Sequence, residues 1–124
     1  MEKSSNILFD SDDFTVDTRM GISIVKINIF RATHRDLNEF MRVLNLILET
    51  NPNKIIIDFG DCQFVDSMII GIMIITVKKV RKFEGDIRLV IPHENIINTF
   101  YQTRLDKIFK QFGTLEQALT SFSH

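Results

Sequence analysis

The segment Lys54-Ile-Ile-Ile-Asp58 constrains this chain more than any other. Three consecutive isoleucines bounded by turn residues leave no polar face for water. As a strand, such a run must be covered on both sides, as central strands of layered sheets are. Helical patterns lie before and after it. Strands that alternate with helices imply an α/β layer structure with some parallel pairing.

Upstream, Phe14–Arg19 and Gly21–Phe30 read as two strands joined at Met20-Gly21, where glycine is free to adopt positive φ, so a hairpin is expected. In the second strand Ile22 and Ile24 share one face, while Val25, Ile27 and Ile29 mark the other less cleanly. Residues 1–13 read as an N-terminal extension in which Ile7-Leu8-Phe9 forms a short strand. The acidic run Asp10-Ser11-Asp12-Asp13 fails as a calcium loop. Counting from Asp10, Phe14 falls at position five, Thr15 replaces the turn glycine and Gly21 replaces the bidentate Glu. It reads as a solvated turn.

Thr33 has N-cap chemistry, with Asp36 at the capping-box spacing. Leu37, Phe40, Met41, Leu44, Ile47 and Leu48 follow at helical spacing and stop before Asn51-Pro52-Asn53. A second helix is expected from about Ser67 to Lys82, and a strand over Asp86–Ile91, introduced by Gly85 and stopped by Pro92. A third helix starts near His93 and carries Ile96, Ile97, Phe100 and Tyr101. Ile108-Phe109 is expected as a short edge strand. Thr114, with Gln117 at the box position, opens a last helix with Leu115, Ala118, Leu119 and Phe122 on its apolar side.

Charge and composition exclude several function classes. Lys plus Arg total 15 against 16 Asp plus Glu, too balanced for a nucleic-acid binder or a polybasic membrane-surface protein. The basic run Lys78, Lys79, Arg81, Lys82 falls at a helix end, where it complements the negative pole. The longest apolar stretch, Met68–Ile75 with Gly71 inside it, is far short of the ~20 residues that span a bilayer. Met1–Ser5 is polar and has no signal-peptide core, so the expected setting is reduced and cytoplasmic, without membrane insertion. A chain of 124 residues buries roughly two thirds of its unfolded surface and needs neither disulfide nor metal.

No constellation for catalysis emerges. His34, His93 and His124 have no metal-ligand spacing and read as surface or helix-end residues. The single cysteine, Cys62, lies between Asp61 and Gln63, where a thiolate is disfavoured, and reads as a small half-buried apolar residue. Neither glycine-rich phosphate cradle is present. No enzyme activity, cofactor or metal is expected.

Asp66-Ser67 stands out at the head of the second helix. The Ser67 hydroxyl is placed to cap free backbone N–H groups, and a phosphate on it would lie beside those groups and the helix dipole. It would add about −1.5 to −2 charge next to Asp66. The helix is apolar on too many sides. Ile70, Met73, Ile74 and Val77 make a stripe fit to face the sheet, and Met68, Ile72 and Ile75 make a second. The second stripe meets either another helix of the same domain or an outside partner, and a partner or dimer surface at Met68 with Ile69 or Ile72 is the expectation.

The run from Ile55 through Asp66-Ser67-Met68-Ile69-Ile70-Gly71 to Met73 resembles the STAS domain family, specifically the stand-alone bacterial anti-sigma factor antagonists. Supporting pieces are the hairpin Phe14–Phe30, Leu89-Val-Ile-Pro before a helix, Thr103-Arg-Leu-Asp-Lys-Ile-Phe, and Thr114-Leu-Glu-Gln-Ala-Leu. The resemblance spans 14–122 and implies one STAS-like domain, a mixed central sheet with helices mainly on one side. It implies a regulatory module that binds an anti-sigma factor when unphosphorylated. That anti-sigma factor often doubles as a serine kinase, which phosphorylates Ser67, and a serine phosphatase resets the switch. Asp66, Ser67, Met68, Ile69 and Ile72 are the implied partner-binding residues, and a homodimer is the other occupant considered for this surface. The alternative is a STAS scaffold or accessory subunit in which Ser67 is only a cap. Met68 and Ile69 replace the family's second Ser and first Gly, and Arg104 stands where the family carries a helix-terminating Gly.

Overall fold

The computed structural model describes residues 5–50 and 53–123. Strand β1 (Ser5–Asp10) pairs antiparallel with β2 (Phe14–Arg19), which pairs antiparallel with β3 (Ile22–Ile27). The acidic turn between β1 and β2 is closed by Ser11, whose N–H and hydroxyl both donate to the Phe14 carbonyl. Between β2 and β3, Met20 and Gly21 both have positive φ, 51° and 79°, as a two-residue hairpin of type I′ requires. A two-residue strand β4 (Arg31–Ala32) leads through a 3₁₀ turn into α1 (Leu37–Glu49). The expected capping box of Thr33 and Asp36 is present. Strand β5 (Lys54–Asp58) follows, then a loop, the short β6 (Phe64–Val65), and α2 (Ser67–Arg81). Strand β7 (Asp86–Val90), α3 (Glu94–Gln102), β8 (Gln111–Phe112) and α4 (Leu115–Ser121) complete the order.

The sheet runs β1-β2-β3-β5-β7-β8, with β3, β5, β7 and β8 mutually parallel. The isoleucine run forms its centre: Ile55, Ile56 and Ile57 are each 0% exposed. Ile55 and Ile57 face the main core with Val25, Ile27, Ile87 and Leu89, under α1, α2 and α3. Ile56 faces the other way, with Ile22, Ile24 and Val90, under Ala118 and Leu119 of α4 and the adjoining Phe122. Three helices therefore cover one face and one covers the other, as the mixed sheet with helices mainly on one side anticipates.

Three sequence expectations need correcting here. Ile108-Phe109 is not the edge strand; that strand is β8, paired to Leu89 and Val90. The chain at 105–109 hydrogen-bonds to itself, with Ile108 and Phe109 N–H both donating to the Leu105 carbonyl, while Phe109 is driven into the core. On α2 the buried positions are Ile69, Met73, Thr76, Val77 and Val80, and Ile70 and Ile74 flank them half-buried. With nearly every residue of 68–75 apolar, the period leaves the inward face ambiguous, and contact with the sheet chooses it. At α4 the Thr114 hydroxyl accepts from Gln117 N–H as expected, but the Gln117 side chain accepts from Gly113 N–H, one residue before the box partner. Arg104, just beyond α3, has φ 65° in the left-handed region.

Candidate functional site

The head of α2 is held by a contact between distant parts of the chain. Strands β4 and β6 pair in parallel, Arg31 with Phe64 and Ala32 with Val65. Gln63 and Phe64 N–H donate to the Phe30 carbonyl, and Asp66 N–H donates to the Ala32 carbonyl. This ribbon lies outside the main sheet and sets the 3₁₀ turn before α1 against the start of α2.

Asp66 lies where the two meet. Its backbone is extended (φ −96°, ψ 176°), the usual N-cap conformation. Its Oδ1 accepts from Met68 and Ile69 N–H, each at 3.1 Å. Its Oδ2 accepts from His34 N–H at 2.6 Å, with the His34 ring Nδ1 at 3.6 Å. One carboxylate thus caps α2 and ties down the turn that starts α1. Burial alone would raise its pKa. Donation from Ile69, His34 and Met68 N–H, with the His34 ring close by, outweighs it and holds the pKa below the ordinary carboxylate value.

This geometry corrects the expected role of Ser67. Asp66 is the cap, and Ser67 is the first helical residue. The N–H groups that a phosphate would have found at Met68 and Ile69 are already taken by the carboxylate. The Ser67 side chain is exposed, and among the described residues its hydroxyl has no hydrogen-bond partner.

The other candidate residues separate. Met68 is 50% exposed, Ile75 is exposed and Ile72 is half-buried, so one side of α2 remains apolar and accessible. Ile69 is 0% exposed and belongs to the core, which removes it from any contact surface. It is the third residue of a helix whose inward face begins there. Phe30 and Phe64 are also exposed, with the Arg31 guanidinium 4.7 Å from the Phe64 ring centre. Neither phenylalanine nor His34 stood out in the sequence. His34 and Asp66 are 32 residues apart, and the only local trace of their pairing is two residues of strand on each side.

The loop behind the site is pinned from several directions. Asp58 Oδ1 accepts from Gly60 N–H, and His93 Nε2 is 2.7 Å from the Gly60 carbonyl. Burial raises the Asp58 pKa, opposed by that N–H and by Lys26. Cys62 is 0% exposed, fully rather than half-buried, and burial pushes its thiol up, so it packs as a small apolar residue. Among the described residues no three His, Cys, Asp or Glu side chains gather as a metal site. Among the same residues no helix is long and apolar enough to cross a membrane.

Sheet, covering helices and the capped head of α2 together define an α/β domain that presents a helix start and an apolar flank to its surroundings. The STAS domain family model matches residues 14–118, and the chain belongs to the STAS domain family. A Thermotoga neapolitana protein, "Putative anti-sigma factor antagonist TM1081 homolog", is 31% identical over 77 residues, covering 62% of this chain and 68% of that protein. The crystal structure of an anti-sigma factor antagonist from Mycobacterium paratuberculosis superposes with a TM-score of 0.81 at 22% identity, covering 98% of this chain and 96% of that one. The anti-sigma factor antagonist SpoIIAA in its unphosphorylated form matches with a TM-score of 0.61 at 12% identity over 96% of each chain. In its phosphorylated form SpoIIAA, from Bacillus, gives 0.62 at 14%, over 95% of this chain and 98% of that one.

Proposed function

We propose that this chain is an anti-sigma factor antagonist that works as a protein-binding switch. It holds an anti-sigma factor when Ser67 is bare and lets it go when Ser67 is phosphorylated. The observation that carries the reading is the exposed, unpartnered Ser67 hydroxyl at the head of α2, flanked by Met68 and the apolar side of the helix. Because Asp66 does the capping, the serine is spared a structural duty and is free to react. This also weakens the scaffold alternative, which gave Ser67 the cap.

The reaction partner is the anti-sigma factor acting as a serine kinase. Ser67 Oγ attacks the γ-phosphorus of ATP bound to that kinase. The Oγ–P bond forms, the bond to the departing ADP oxygen breaks, and the serine proton passes to a base on the kinase. A phosphatase restores the hydroxyl by hydrolysis, releasing inorganic phosphate. The modification places about −1.5 to −2 charge beside Asp66, at the edge of a surface that must be desolvated on binding. An unpaired charge buried there costs several kcal/mol, enough for ~10²-fold or more in affinity.

The test is calorimetric affinity for the anti-sigma factor with wild type, Ser67→Ala and Ser67→Asp, alongside intact-mass analysis after incubation with that factor and ATP. Ser67→Ala should bind like wild type and take no phosphate, and Ser67→Asp should bind ~10²-fold more weakly. Equal affinities for wild type and Ser67→Asp would remove the switch.

A further inference from the structure

Acidic and basic residues are nearly equal in number, but the fold sorts them along the strands. Because β3, β5, β7 and β8 run parallel, one end of the domain collects strand ends and helix starts, and the other collects strand starts and helix ends. Asp10, Asp12 and Asp13 of the β1–β2 turn join Glu39, Asp61 and Asp66 at the first end, against Lys26, Arg31 and Arg35. At the opposite end stand Lys54, the first residue of β5, with Lys78, Lys79 and Lys82 at the end of α2 and Lys107 and Lys110 before β8. Arg81 holds these pieces together. It donates to the Ile108 carbonyl and pairs with Asp86, which Arg88 also holds. Glu49, Glu84 and Asp106 are the carboxylates interspersed with the lysines. Lysines at a helix end complement its negative pole, but Lys54, Lys107 and Lys110 lie outside α2.

Phe83 projects from this basic end. It lies in the turn between α2 and β7 and is 74% exposed. The turn is ordered: Phe83 and Gly85 N–H donate to the Val80 carbonyl, and Glu84 N–H donates to the Arg81 carbonyl. The ring is therefore presented on a fixed backbone, with exposed Lys82 beside it. An apolar ring among lysines, on a convex tip, matches a boundary that is anionic outside and apolar a few ångströms below.

We infer that this end of the domain adsorbs to an anionic lipid bilayer, with the lysines on the headgroups and the Phe83 ring at the acyl boundary, and without crossing the membrane. Single-stranded nucleic acid is the other polyanion that uses aromatic rings, but it needs a groove and several stacking platforms, and here one ring stands on a turn. The acidic end, which carries Ser67, faces away from the lipid and stays open to a protein partner. This surface is independent of the reading of Ser67 as a modified residue.

The experiment uses the full chain with vesicles of phosphatidylcholine, alone or with about 30% phosphatidylglycerol. Co-sedimentation is read at about 50 and about 300 mM NaCl. The chain should bind the anionic vesicles in low salt, several-fold less in high salt, and the neutral vesicles not at all. Lys78→Gln and Lys82→Gln should each weaken binding about fivefold. Phe83→Ser should weaken it about tenfold and leave the salt dependence as in wild type. Arg35→Gln, an exposed change at the acidic end, should bind like wild type. All four positions are exposed, and urea unfolding checks that each variant is folded. The chain has no tryptophan, so Phe83→Trp and Phe30→Trp are single fluorescent reporters at the two ends. Emission of Phe83→Trp should move to shorter wavelength on anionic vesicles, and that of Phe30→Trp should not. No binding in low salt, equal binding to neutral vesicles, or a shift at position 30 in place of 83 would overturn the inference. A preference for oligothymidylate over vesicles, with no loss of vesicle binding in Phe83→Ser, would reassign the surface to nucleic acid and overturn it as well.

Discussion

Replacing Asp66 by alanine tests the double cap directly. The carboxylate accepts three backbone N–H groups, at 2.6, 3.1 and 3.1 Å. Losing an N-cap of this kind costs about 0.5–2 kcal/mol. The His34 N–H is exposed and returns to water, so its loss adds a few tenths to about 1 kcal/mol. The sum is about 2 kcal/mol, a large share of a typical folding stability of roughly 5–15 kcal/mol. It corresponds to a drop in Tm of roughly 6–10 °C for a domain of this size. Asp66→Asn keeps one acceptor for α2 but turns an NH₂ toward a donor, and should cost about half as much. The assay is urea unfolding at pH 7 and at lower pH. The folded-state pKa of Asp66 lies below its ordinary value of 3.8. Its charge-dependent contribution is therefore fully present above pH ~3.8 and is lost as pH falls through the lower folded value. The gap between wild type and Asp66→Ala should be widest at pH 7 and narrow in acid. A gap that stays constant into acid, or an alanine variant as stable as wild type at pH 7, would refute the argument.

Gly71 lies inside α2, and a Cβ added there would meet nothing within 4 Å. Gly71→Ala should therefore raise stability by about 0.5–1 kcal/mol, read as a higher urea midpoint with an unchanged slope. Arg104 holds φ 65°, so Arg104→Gly should relieve about 1 kcal/mol of backbone strain and raise Tm by a few degrees in a thermal melt. Asp58 has the opposite linkage to Asp66: its raised folded pKa gives a stabilisation present below pH ~3.8 and lost as pH rises through the folded value. Asp58→Asn retains an acceptor for Gly60 N–H, so it should be at least as stable as wild type at pH 7 and lose that advantage in acid, by urea unfolding at both pH values.

What the sequence determined was local. Three isoleucines in a row have no face for water, so β5 had to be central wherever the chain ran. Thr33 with Asp36, and Thr114 with Gln117, satisfy N–H groups within one turn of themselves, and those helix starts were legible for that reason. The hairpin at Met20-Gly21 is local in the same way, closed by two adjacent positive-φ residues. What the tertiary structure decided was orientation and long-range meeting. An apolar helix reads alike on several sides, and only packing on the sheet sent Ile69 inward and left Met68 outside. Asp66 and Ser67 both have cap chemistry, and the carboxylate took the role because its second oxygen also satisfies His34 N–H from another part of the chain. That bond depends on two-residue strands, β4 and β6, pairing Arg31 with Phe64 and Ala32 with Val65 from distant parts of the chain. Hydrogen bonds of such short strands are worth little locally, and they form because the sheet and α1 have already brought their ends together.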